Sequence, residues 1–101
     1  MAELTVVYWR DIPAQVIVKA GRAAAKRELP PRFAEAIDMA AMRSGAAGTD
    51  AYLAEWRRAV AGTVEGDLDA AAAAAATRID GEYPKARLLA LVAEGGREVR
   101  P

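Results

Sequence analysis

Two runs rich in strand-forming residues, Leu4 to Arg10 and Ala14 to Ala20, are separated only by Asp11, Ile12 and Pro13. No other feature constrains the fold so tightly, because two such runs so close together must pair as an antiparallel hairpin. Proline holds φ near −65° and has no N–H to give a central strand, and aspartate favours turn starts, so the reversal belongs at these three residues. In the first run, alternation sets Leu4, Val6 and Tyr8 against Thr5, Val7 and Trp9. Both sets are largely apolar, which places this strand inside a sheet or under cover on both sides. Gly21-Arg22 is a second turn. Ala24 to Leu29 then reads either as a third, edge strand whose Lys26, Arg27 and Glu28 discourage further pairing, or as helix.

After Pro30-Pro31 the periodicity changes from two to 3.6. Arg32 to Arg43 carries the stripe Phe33, Ala36, Ile37, Ala40, Ala41, and Ser44-Gly45 closes it with a residue suited to a left-handed cap. Thr49 or Asp50 starts a second helix, with Tyr52, Leu53, Trp56 and Val60 on one side and a stop at Gly62 and Gly66. Asp67 or Asp69 caps a third, running through seven consecutive alanines to Ile79 and ending at Asp80-Gly81; alanine is the best helix former. Pro84 opens a fourth, with Leu88, Leu89, Leu91 and Val92, ended by Gly95-Gly96. The expected fold is α+β: an N-terminal antiparallel β-hairpin or three-stranded meander followed by about four α-helices. It forms one domain, with a β-rich part over 1–29, a helical part over 30–96 and a frayed tail over 97–101.

Composition narrows the chemistry. The 101 residues are 53% hydrophobic, much of it alanine, with one Phe, two Trp, three Tyr and three Met, so the core is thin and helices must approach closely. Fourteen basic and fourteen acidic residues cancel, leaving no global field for nucleic acid or an anionic membrane. Without cysteine there are no disulfides, thiolate nucleophiles or cysteine metal sites; without histidine there is no histidine triad and no His-ligated zinc. Ser44 is the sole serine, so no nucleophile–base pair can be assembled, and catalysis by this chain alone is not expected. No apolar run is long enough for a membrane span, and Met1-Ala2-Glu3-Leu4 does not read as a signal peptide, which points to a cytoplasmic protein.

Three groups of residues merit functional weight. Tyr8, Trp9, Arg10 and Asp11 could clamp a planar or anionic ligand by stacking and bidentate hydrogen bonds, although packing and turn capping account for them more simply. Lys19, Arg22, Lys26, Arg27 and Arg32, opposed only by Glu28, could meet phosphate or an acidic surface, but a solvated edge is the simpler reading. Tyr52, Leu53 and Trp56 are core residues by spacing and partner anchors if one side stays exposed. Glu65, Asp67 and Asp69 lack the spacing of a calcium loop and read as capping. Neither a cofactor nor a metal is expected.

The string Val7-Tyr8-Trp9-Arg10-Asp11-Ile12-Pro13-Ala14-Gln15-Val16, with Arg32-Phe33-Ala34-Glu35-Ala36-Ile37-Asp38 and Asp50-Ala51-Tyr52-Leu53-Ala54-Glu55-Trp56-Arg57-Arg58, resembles the small bacterial "virulence factor" domain family over about the first sixty residues. The resemblance implies a bacterial accessory subunit associated with corrinoid- and tetrahydrofolate-dependent methyl transfer, and it assigns no catalytic residues. Together the residues and the resemblance point to a non-catalytic interaction module. A protein partner or a second copy is expected, and nucleic acid and membrane are not. The alternatives are a small anionic-ligand site at Tyr8–Asp11 and a weak nucleic-acid surface over Lys19–Arg32.

Overall fold

The computed structural model describes residues 1–98. Strands β1 (Ala2–Trp9), β2 (Ile12–Ala20) and β3 (Ala23–Glu28) form the expected meander, followed by helices α1 (Pro31–Ser44) and α2 (Asp50–Ala54). A further strand, β4 (Trp56–Val64), precedes helices α3 (Leu68–Glu82) and α4 (Lys85–Ala93). The sheet is antiparallel in the order β3-β2-β1-β4, so the two-sided apolar strand β1 is indeed internal.

Several details depart from the periodicity. Residues Trp56 to Val60 extend β4 rather than a second helix, because β1 needs a partner along its free edge and no other segment supplies one. Helix α2 is therefore only five residues long, and the region 30–96 is not wholly helical. The hairpin turn is Arg10-Asp11 alone, while Ile12 and Pro13 are already in β2. Pro13 is tolerated because β3 pairs with β2 only from Gln15 onward, so no ladder N–H is needed there. The third helix continues past Asp80-Gly81 to Glu82.

A register shift between Val7 and Tyr8, where Ala14 is the extra residue on β2, breaks the alternation. Trp9 belongs to the main core with Leu4 and Val6, whereas Val7 does not. That core also holds Ile12, Val16 and Val18 of β2, the α1 stripe Phe33, Ala36, Ile37, Ala40 and Ala41, and Ala72, Ala75, Ile79, Leu88 and Leu91 from the later helices. Val7 and Ile17 are buried outside it, among the side chains of neighbouring strands, since long charged stems shield apolar groups while keeping their heads wet. Helix ends follow the expected chemistry: Gly45 caps α1 at φ 79°, and the Asp67 carboxylate accepts from Ala70 N at 2.9 Å.

Candidate functional site

The hairpin tip gathers the densest polar network in the described residues. Trp9 is fully buried, its indole N–H donating to the Tyr52 carbonyl at 2.8 Å and its ring 5.8 Å from that of Tyr52. Arg10 is the one described non-glycine residue with positive φ, 54°. Its side chain is 13% exposed, its Nη1 donates to the Gly95 carbonyl at 2.8 Å, and its Nε lies 3.8 Å from Glu55 Oε2. Asp11 accepts from Arg57 Nη2 at 3.3 Å and from the Glu98 N–H at 2.6 Å, while the Asp11 N–H donates to the Gly96 carbonyl at 2.8 Å. The Arg57 guanidinium stacks 4.4 Å above Tyr8, and Arg97 reaches Glu55 at 3.1 Å.

These bonds tie the hairpin tip, the start of β4 and the segment Gly95–Glu98 into one clasp. Gly96 shows how close the approach is: a Cβ there would sit 2.9 Å from Trp9 Cζ3. Arg97 and Glu98 are thus held against the hairpin, and the rest of the tail, 99–101, lies outside the described residues. Trp9 and Arg10 donate inward to backbone carbonyls and Asp11 accepts from the Glu98 N–H and from Arg57, while Arg10 Nε is buried without a hydrogen-bond partner among the described residues. Glu55 and Arg57 reach the cluster through the pairing of β4 with β1, and Gly96 through the turn that follows α4; nothing local in the sequence puts these segments beside the hairpin.

The basic residues do not form one surface. Arg22 is exposed in the β2–β3 turn. Lys26 pairs opposite Ile17 and Arg27 opposite Val16, so successive residues on β3 point to opposite faces of the sheet. Arg32 is withdrawn into an ion pair with Asp80, also donating to the carbonyls of Asp80 and Tyr83.

A different surface emerges on the helices. Arg32 near Tyr83 joins the amino ends of α1 and α4, and Arg43 Nε donates to the Ala93 carbonyl at their carboxyl ends, so the two helices run side by side in the same direction. Between them lies a groove of about 260 Å³ floored by Ala36, Leu88 and Val92, with Met39 and Leu89 on its rim and Glu35 and Lys85 at one end. Met39 and Leu89 are 40% and 49% exposed. One turn further along α1, Met42 is 64% exposed and shares a second hollow with Tyr52, beside Leu53 at 69%. Leu53 is the open member of the aromatic group flagged in sequence, whereas Tyr52 and Trp56 are half-buried. The α1 stripe predicted the buried side of this helix; Met39 and Met42 lie outside that stripe.

At the start of α4, Arg87 stacks 3.9 Å above the Tyr83 ring. Burial pushes the Tyr83 hydroxyl above the ordinary tyrosine range, with Arg87 pulling the other way. Among the described residues no group of three or more potential metal ligands converges, and no helix is long and apolar enough to cross a membrane.

Comparison with known families matches residues 7–92 to a family described as "Virulence factor". The match spans most of the chain, so the chain belongs to that family, and it extends the resemblance through the alanine-rich helix. No curated protein and no solved structure matches.

Proposed function

We propose that this family member is a non-catalytic interaction module of a bacterial cytoplasmic system, and that its docking surface is the α1/α4 face rather than the hairpin. The observation that carries this reading is the exposure of Leu89 and Met39 beside the groove between α1 and α4, with Met42 one turn further along α1. Contiguous apolar exposure rimmed by charge marks interaction surfaces, and methionine suits them because its unbranched thioether adapts to what it meets. The hairpin motif supports the same reading indirectly: it braces the sheet against the C-terminal segment and so holds the helices in place. On this reading, an accessory role in one-carbon methyl transfer, as the family resemblance implies, would leave the chemistry to a partner enzyme.

The test is a cross-linked affinity capture from the native cell together with light scattering of the purified chain. Wild type is expected to be retained in a complex, with itself or another protein, that Met39→Glu combined with Leu89→Glu removes while circular dichroism is unchanged. A chain that neither self-associates nor retains a protein in a Met39-dependent way overturns the reading.

A further inference from the structure

We propose that the occupant of the α1/α4 face is a second copy of this chain, packed across a two-fold axis so that α1 lies antiparallel on its symmetry mate and α4 on its own. This rests on the reading of that face as a docking surface and names its partner. The argument is the charge pattern along α1. Glu35, Met39 and Arg43 are spaced four residues apart, which aligns them along one line of the helix. All three lie on the side toward α4: Glu35 and Met39 line the groove, and Arg43 reaches the end of α4 at Ala93. A two-fold axis through Met39 therefore sets Glu35 of each copy against Arg43 of the other, with the two methionines meeting between them. Opposite charges close both ends of an apolar contact.

The second helix obeys the same operation. Leu89 sits beside Met39, and the rotation brings the amino end of α4, with Lys85, over the carboxyl end of the other α4. The last carbonyls of a helix carry partial negative charge, so a lysine there is stabilising. Because α1 and α4 run in the same direction within one copy, the antiparallel mate opposes both dipoles. A same-direction arrangement would instead stack Glu35 on Glu35 and Arg43 on Arg43. The face is small: α1 has 14 residues, a length of about 21 Å at 1.5 Å per residue. A footprint two helices wide lies at the low end of specific interfaces, so an association in the micromolar range is expected.

Sedimentation equilibrium of the full chain, from roughly 1 μM to 1 mM, brackets that range. Wild type is expected to dimerise. Glu35→Arg and Arg43→Glu should each weaken the dimer by about tenfold or more, the pair in one chain should restore it to within a few-fold, and Met39→Glu should abolish it. Glu35 and Met39 are exposed, so those variants keep their fold, which intrinsic tryptophan fluorescence monitors. A wild type that stays monomeric throughout, or a dimer indifferent to the charge reversals, overturns the proposal. A monomer that still retains a different protein through Met39 overturns this inference alone; a monomer that retains none overturns the docking reading as well.

Discussion

The hairpin tip and the α1/α4 face are opposites in how they use their side chains. At the tip, Trp9 Nε1, Arg10 Nη1 and one Asp11 carboxylate oxygen each bond the chain's own backbone, Arg10 Nε is buried without a hydrogen-bond partner among the described residues, and the Trp9 ring is fully enclosed. On the helical face, Met39, Met42 and Leu89 keep 40%, 64% and 49% of their surface exposed. The tip has the more distinctive sequence, the face the blander one. Distinctive sequence is what a strained turn with several simultaneous partners demands, whereas a docking surface asks only for apolar area and a few charges. A distinctive motif can therefore be architecture, while the proposed docking face is written in ordinary helix residues.

That contrast is open to direct attack. Trp9→Ala should cost the most, about 3–5 kcal/mol, since it empties a fully buried site and orphans the Tyr52 carbonyl. Urea denaturation of the purified variant measures it, and a loss below about 1 kcal/mol would mean the tip is not structural. Gly96→Ala comes next. Its φ is 92° and the added methyl would meet Trp9 at 2.9 Å, so overpacking alone should cost about 1–3 kcal/mol, read as a lowered melting temperature.

Arg10 allows backbone and side chain to be separated. Arg10→Ala loses the bond to Gly95 and keeps the positive φ; Arg10→Gly loses the same bond but relaxes the backbone. The glycine variant should be the more stable of the two by about 1 kcal/mol, and equal stabilities would show that the turn carries no strain. Tyr83 offers a pH-dependent reading of the α1/α4 junction. Because its hydroxyl titrates above the ordinary value, the native state holds its proton longer than the unfolded chain does. Stability should therefore fall as pH rises above about 10 and through the native titration. Tyr83→Phe should flatten that alkaline decline, and an unchanged slope would assign the decline to other groups.

The smallest effect is expected on the helical face. Met42→Ser should alter stability by no more than about 0.5 kcal/mol, because its side chain is mostly in water already. A large loss would show that Met42 belongs to the core and would remove it from the docking surface.

Much of the fold was legible one segment at a time. The α1 stripe from Phe33 to Ala41, the Asp67 cap and the glycine stops after α1 and α4 are local matters of spacing and backbone, and the structure reproduces them. The stretch after Tyr52 was not legible, because Tyr52, Leu53, Trp56 and Val60 satisfy a helical period as well as a strand does. Only the open edge of β1, which needed hydrogen-bond partners, selected strand pairing for Trp56–Val64. Likewise the bulge at Ala14 depends on how two strands register and not on either strand alone.

Sequence alone thus determined the α+β class, the hairpin, the main helices and the exclusion of cysteine and histidine chemistry, since each follows from composition or from periodicity within a short window. Tertiary structure decided which residues meet: Asp11 with Glu98, Arg10 with Gly95, and Met39 with Leu89. Those pairs stand 50 to 87 positions apart in the chain, and no local propensity reaches that far. Only the closing of the sheet and the packing of helices on it bring them within bonding distance.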